Sequence, residues 1–181
     1  ISPRTLAATP ETAWYSSYAP LGDPAFKGSL YADGLSVEGQ LPPELRGTLY
    51  RNGPARFSKG SSRLTHWFDG DGMLQALRID GGRVSHHGRL LVTPKVAQED
   101  AAGRFLYGGF GSSVDSPQSW SLPDTINPAN INLLIMDQGR KLYALWEAGS
   151  ALQVAPDTLI GQGFKVWSPE TAGAPFSAHP R

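Results

Sequence analysis

The chain has 181 residues, zero formal charge and no cysteine, which excludes disulfides, thiolate metal ligands and cysteine nucleophiles. Its 16 basic and 16 acidic residues form no run of one sign, so the sequence predicts no nucleic-acid partner. With 21 glycines and 15 prolines, the composition favours short strands and turns over long helices, and therefore an all-β fold.

No apolar run reaches the length of about 18 residues that a membrane span requires. The N-terminus also lacks a basic segment followed by an apolar one, as a signal peptide would have. We therefore expect a cytoplasmic protein whose contact with a membrane, if it has one, is peripheral.

Residues 1–40 are predicted to form an extended N-terminal arm, because prolines alternate there with aromatic side chains. A short strand follows at 47–54. Two stretches of alternating polarity, 73–80 and 83–93, flank the pair Gly81-Gly82 and predict a hairpin.

A second hairpin is predicted from 131–136 and 141–147, with a third strand at 151–155. Between the two hairpins, the polar and proline-marked segment 115–130 predicts a long loop at one end of the sheets, where functional residues are often placed. Successive hairpins of this kind are typical of a sandwich, a barrel or a propeller, and the alternation alone does not choose among them.

The glycine-rich stretch 67–73 places Asp69 and Asp71 two residues apart. A calcium loop would need a third oxygen ligand where Met73 stands. We therefore expect both carboxylates to cap backbone amides in a turn that leads into the first hairpin.

The four histidines form no ligand template. His86 and His87 are adjacent on a strand and point to opposite faces, so we expect them, and His66, to be structural. Glu147 ends an apolar strand, and local pattern leaves open whether it is a surface residue or a carboxylate that orients a ligand imidazole. His179 alone would be a solvated residue near the end of the sequence, because one imidazole makes no metal site.

Five stretches change this interpretation when they are taken together. They are LPPELRGTLYRNGP (41–54), HWFDGDGM (66–73), AGRFLYGGFG (102–111), KLYALWEAG (141–149) and FSAHPR (176–181). In order and in spacing they resemble the carotenoid cleavage oxygenases. The resemblance implies a seven-bladed β-propeller with an Fe(II) on its axis, held by four histidines beneath a dome of loops and helices. Residues 41–181 would be its first blades.

On that resemblance, His179 matches the first iron ligand and Glu147 matches a glutamate that hydrogen-bonds a later ligand histidine. The other three ligands would lie outside this sequence. Members of the family use iron-activated O₂ to split one double bond of an apolar polyene into two carbonyl products. Neutral imidazoles suit Fe(II), and carboxylates behind them fix ring orientation and tautomer.

Trp146 and Ala129 are the predicted residues of the substrate tunnel. Relatives that cleave stilbenes carry a lysine where Trp146 stands, and an indole suits a polyene better than a phenol. The resemblance therefore favours an apocarotenal cleaved at its 15,15′ bond to give retinal. Ala129 occupies the place of a threonine near the open iron position of many members. The alternatives are a stilbene or phenylpropenoid dioxygenase and a non-catalytic, lipid-binding propeller fragment.

Overall fold

The computed structural model describes residue 26 and residues 28–180, so most of the predicted N-terminal arm lies outside the described residues. The described chain forms two four-stranded antiparallel sheets and a small two-stranded ribbon. The strands are β1 (Ser29–Ala32), β2 (Gly47–Arg56), β3 (Ser58–Lys59), β4 (Ser62–Arg63), β5 (Asp71–Asp80), β6 (Arg83–Leu90), β7 (Asn132–Met136), β8 (Lys141–Leu145), β9 (Leu152–Val154) and β10 (Gly161–Phe164). Sheet 1 has the order β1-β6-β5-β2 and sheet 2 the order β10-β9-β8-β7.

This arrangement confirms the predicted all-β class, the strand at 47–54 and both hairpins. The first hairpin, β5–β6, turns at Gly81 and Gly82, whose φ angles of 55° and 80° favour glycine and match the twist of a two-residue hairpin. The strand β1, from the end of the predicted arm, pairs with β6 and forms the edge of sheet 1. No helix of the described residues is long and apolar enough to cross a membrane.

The main core lies between the two sheets. Leu74 and Ala76 of β5 pack with Leu142 and Ala144 of β8 and with residues of β9. The opposite face of β8 is also covered, because Tyr143 and Leu145 pack against the segment that contains Phe176 and Ala178. The strand β8 is therefore buried on both faces, which explains its almost continuous apolar sequence.

The helix α1 (Pro94–Ala102) was not predicted from the sequence, although its end signals are present. Thr93 accepts a hydrogen bond from the Val96 amide, Pro94 occupies the first turn, and Gly103 ends the helix in the left-handed conformation with φ 65°. These are common start and stop signals of a helix. Its nine residues include three alanines and one larger aliphatic side chain, Val96, so the helix has no stripe of large apolar residues for periodicity to indicate.

A buried ion cluster joins α1 to sheet 1. Lys95 of α1 lies 2.9 Å from Asp71 and 2.8 Å from Glu99, and Lys59 lies 3.2 Å from Asp71. Arg56 completes the contacts of Asp71 at 2.9 Å. Asp71, Glu99, Lys59 and Lys95 are all buried, so each charge depends on the others for the stabilisation that water would give.

Asp71 was predicted to cap backbone amides, and that prediction is wrong, since its carboxylate binds three cationic side chains. Burial alone would raise the pKa of Asp71, but Lys95, Lys59 and Arg56 hold that pKa well below its ordinary range. Burial would likewise lower the pKa of Lys95, but Asp71 and Glu99 raise it above its ordinary value. Asp71 and Lys95 are therefore both charged at neutral pH.

We predict that Asp71→Asn lowers the free energy of unfolding of the intact protein by about 3–5 kcal/mol, because it leaves buried cations without their partner. Asp80→Asn is the matched control, since Asp80 forms an exposed ion pair with Arg46 and such pairs contribute little. Urea denaturation followed by tryptophan fluorescence measures both variants. Equal midpoints for Asp71→Asn and wild type would show that the cluster does not stabilise the fold.

The same comparison has a pH dependence. Because the folded-state pKa of Asp71 lies below the unfolded value of about 3.9, its contribution is complete above that unfolded value and is lost as the pH falls further. The stability difference between wild type and Asp71→Asn should thus be constant from pH 5 to 8 and shrink below about pH 4.

Candidate functional site

A cavity of about 1060 Å³ lies between α1, the loop that follows it and the end of sheet 2. Its volume is at the upper end of the range of small-molecule sites. Most of the side chains that line it are aromatic or aliphatic, including those of Leu64, Trp67, Phe68, Phe110, Trp120 and Ile131. The cavity is therefore suited to a large apolar molecule.

His179 and Glu147 stand together in the wall of this cavity. The Nδ1 atom of His179 lies 3.4 Å from a carboxylate oxygen of Glu147, which is a close contact and longer than a usual hydrogen bond. This pairing leaves the Nε2 atom of His179 as the ring nitrogen for a further ligand. Glu147 was predicted to serve a later histidine, and that assignment stays a prediction because no later histidine belongs to this sequence.

Glu147 also fixes the backbone that carries His179. Its carboxylate accepts a hydrogen bond of 2.9 Å from the amide of Ala178, and the carbonyl of Ala178 accepts one of 3.0 Å from the side chain of Asn132 in β7. Ala178 itself is fully buried against sheet 2. The position of His179 is therefore determined by the ends of β7 and β8, although 31 residues separate Glu147 from Ala178.

Trp146 lines the cavity directly before Glu147, and its place in the wall of a substrate tunnel stays a prediction. Lys95 also lines the cavity, but its ammonium is bound by Asp71 and Glu99. The cavity therefore presents to a ligand an indole and an ammonium that is already paired. A phenolate would find no uncommitted cation in the wall formed by the described residues.

Ala129 is not among the residues that line the cavity, and its predicted place in the tunnel stays a prediction. It is fully buried in the core between the two sheets, with a strained φ of 50°. Its amide is bound by Asn127 and its carbonyl by Asn52. The next two residues, Asn130 and Ile131, form the cavity wall in its place.

Asp69 and the three histidines that were predicted to be structural each have a hydrogen-bonding partner. Asp69 caps two backbone amides, those of Phe110 and Gly111, which confirms its predicted role. The Nδ1 atom of His66 accepts a hydrogen bond from the amide of Phe68. His86 contacts Gln75 and His87 contacts Ser29, so each of these histidines has a structural partner.

The site residues that sequence reasoning missed come from α1 and from the glycine-rich loop after it. Lys95, Tyr107, Phe110 and Gln118 all line the cavity. The available signals were the Thr-Pro start of α1 and the glycines of 108–111, since closely spaced glycines often mark a close backbone approach. Neither signal shows which cavity these residues would face.

No group of three or more histidine, cysteine, aspartate or glutamate side chains among residues 28–180 could hold a metal ion. His179 nevertheless fits one position of an iron site. Its imidazole faces the cavity, and a carboxylate stands beside Nδ1, the arrangement by which proteins orient metal-binding histidines. That His179 is one ligand of an iron site stays a prediction.

The model of the retinal pigment epithelial membrane protein family matches residues 28–181. The chain is 40% identical over 150 residues to the apocarotenoid-15,15′-oxygenase of Synechocystis, covering 80% of this chain and 30% of that protein. It is 30% identical over 147 residues to lignostilbene-α,β-dioxygenase isozyme III of Sphingomonas paucimobilis, covering 80% and 29%. The chain spans about a third of the length of these curated relatives.

Solved structures show the same similarity. A variant of the Synechocystis apocarotenoid oxygenase superposes with a TM-score of 0.76 at 35% identity, over 94% of this chain and 35% of that one. The cobalt-substituted form of the Synechocystis enzyme superposes with a TM-score of 0.72, also at 35% identity, over 91% of this chain and 35% of that one. The fold described above is therefore that of one part of a larger enzyme structure.

We predict that Glu147→Gln in the intact protein weakens iron retention about 10–100-fold, because an amide orients an imidazole less strongly than a carboxylate. Glu44→Gln, at an exposed position of the same chain, is the matched control. Iron bound per chain is measured after dialysis against a graded series of chelator concentrations. Iron retention equal to that of wild type in a well-folded Glu147→Gln variant would show that Glu147 is a surface residue that does not orient a ligand.

Proposed function

We propose that the complete protein cleaves an apolar polyene with O₂ at an Fe(II) centre, because the chain belongs to the retinal pigment epithelial membrane protein family of carotenoid cleavage oxygenases. The substrate is an apocarotenoid, cut at its 15,15′ double bond to give retinal. The observation that carries this proposal is an apolar cavity with a carboxylate-supported imidazole in its wall.

The two sheets support a propeller as the complete fold. Each has four antiparallel strands, which is the content of one propeller blade. The strand β8 of sheet 2 is covered on both faces, as in a blade between two neighbours. Residues 41–181 would supply the first blades, and further chain would close the ring and bring the remaining ligands to its axis.

His179 would hold the iron through its Nε2 atom, and Glu147, which lies beside it at 3.4 Å, would hydrogen-bond a later ligand histidine and fix the orientation of that ring. When bound, the iron supplies O₂ activation, so that the two oxygen atoms end in the two carbonyl products of the cleaved double bond. The chain's own share is to bind and orient the polyene. The aromatic wall excludes water and offers flat apolar faces to a conjugated chain.

A stilbene or phenylpropenoid is the alternative substrate class, since the chain is also 30% identical to a lignostilbene dioxygenase. Two features weigh against it. Trp146 stands where stilbene-cleaving relatives carry a lysine, and the ammonium of Lys95 is already bound by two carboxylates. A phenolate entering this cavity would lose its hydration without gaining a free cation in return.

A polyene is nearly insoluble in water, so the complete protein would take it from a lipid surface or a carrier. Peripheral contact with a membrane therefore belongs to this proposal. The exposed side chains of Phe110 and Trp120 at the cavity are consistent with such a route.

We predict that the intact protein cleaves an apocarotenal faster than a 4-hydroxystilbene, and that Trp146→Lys reduces apocarotenal cleavage at least tenfold. The reason is that the change removes the apolar indole face and places an ammonium in an apolar wall. Chromatography of the products, with both substrates at equal concentration, measures the effect.

The control variant is Lys141→Trp, which exchanges the same two residue types in the opposite direction, at an exposed position of β8 away from the cavity. Its apocarotenal cleavage should equal that of wild type. Faster cleavage of the stilbene by wild type, or unchanged apocarotenal turnover in Trp146→Lys, would move the assignment to the stilbene class.

A further inference from the structure

The glycine-rich loop 108–112 is fastened to the turn at 65–69 by four hydrogen bonds. The carboxylate of Asp69 accepts one from the amide of Phe110 at 2.5 Å and one from the amide of Gly111 at 3.0 Å. The hydroxyl of Ser112 accepts bonds from the amides of Thr65 and His66, at 2.8 and 3.0 Å. The bonds thus engage both ends of the turn and the second half of the loop, residues 110–112.

The two segments can approach this closely only because Gly109 and Gly111 have no side chains. A Cβ atom on Gly109 would lie 2.1 Å from Cγ of Asp69, and one on Gly111 would lie 2.5 Å from the ring of His66. Both distances are shorter than any allowed contact, so only glycine permits the approach at these positions. The loop is therefore shaped to receive the carboxylate of Asp69 and the ring of His66.

The residue between those glycines, Phe110, is presented outward by this arrangement. Its ring centroid lies 5.1 Å from that of His66 and 5.9 Å from that of Phe68. Phe110 is 81% exposed and Phe68 is 56% exposed, yet both line the cavity. These three rings form an aromatic rim on the cavity, and we use that name for His66, Phe68 and Phe110.

The carboxylate of Asp69 is buried, with 5% of the residue exposed. Both of its oxygens accept hydrogen bonds from loop amides, Oδ1 from Phe110 and Oδ2 from Gly111. Hydrogen bonds from amides to a carboxylate are stronger than those to a neutral group. Replacing the carboxylate with an amide would weaken both contacts and present an NH₂ group to one of the two donors.

We propose that Asp69 is a positioning residue for substrate binding: it holds loop 108–112 so that Phe110 completes the aromatic rim against the polyene. Asp69 acts through Phe110 and touches neither His179 nor Glu147. The rim determines how tightly an apolar polyene is held, and it leaves the metal site unchanged. This inference rests on the proposed function for the class of ligand, and on the loop contacts for the role of Asp69.

The test is a double-mutant cycle in the intact protein with Asp69→Asn, Phe110→Ala and both changes together. The first readout is the Kd of an apocarotenol, the alcohol analogue of the substrate, from quenching of the tryptophans that line the cavity. Phe110→Ala should raise this Kd about tenfold, in keeping with the partial loss of a phenyl contact. Asp69→Asn should raise it by a similar factor.

The double variant distinguishes positioning from general damage. If Asp69 acts through Phe110, the double variant should bind no more weakly than either single variant within about twofold. Iron per chain should stay at the wild-type level, and in cleavage assays KM should rise while kcat is retained. Asp33→Asn, at an exposed ion pair with Arg83, is the control and should match wild type.

Independent, multiplying effects of the two changes would overturn the proposal, as would wild-type affinity in Asp69→Asn or absence of apocarotenol binding by wild-type protein. If Asp69→Asn does not fold, Gly109→Ala replaces it in the cycle, because its methyl group displaces the loop from an intact Asp69. Binding without cleavage in wild type would contradict the proposed function alone, since the cycle is measured by affinity and needs no turnover.

Discussion

The buried ion cluster around Asp71 is the constraint on which the cavity depends. Asp71 begins β5 and binds Lys95 of α1, so it attaches the helix to sheet 1. Glu99, on the same helix, uses its second oxygen to accept hydrogen bonds from the amides of Leu106 and Tyr107. The cluster thus extends from sheet 1 through α1 to the start of the loop that forms one side of the cavity. Because its charges are buried and paired with one another, removal of one leaves its partners buried without a counter-charge and destabilises the fold.

The opposite side of the cavity is built from sheet 2. The end of β8 supplies Trp146 and Glu147, and β7 supplies the Asn132 side chain that binds the carbonyl of Ala178. These contacts bring a segment from the end of the chain back to the sheet and place His179 at the cavity. Between the two sides, asparagines of 127–132 bind backbone groups of neighbouring segments, among them Phe68, Gly70 and Ser150. An apolar space is therefore surrounded by polar contacts that keep its wall in one shape.

The strands were predictable from the sequence because alternation and turn residues are local signals, and the Gly81-Gly82 hairpin is the clearest case. The helix α1 was missed since it is short and has only one large aliphatic residue, Val96. The role of Asp71 could not be predicted, because its partners Lys59 and Lys95 come from other elements and a local pattern shows only the nearby glycines. Ala129 was assigned to the tunnel by resemblance; the structure buries it between the sheets, and its neighbours Asn130 and Ile131 line the cavity. His179 and Glu147 were identified only through the family resemblance, as neither has a local pattern that distinguishes it from a surface residue.

The proposed role of His179 is to hold the iron on which cleavage of a polyene depends. The iron content per chain of the purified intact protein, compared among wild type, His179→Ala and His66→Ala, tests this role. We expect about one iron per chain in wild type and in His66→Ala, and little iron with no apocarotenal cleavage in His179→Ala, because the change would remove one of the four imidazole ligands that the family resemblance implies. Full iron content and normal cleavage in a folded His179→Ala variant would contradict it.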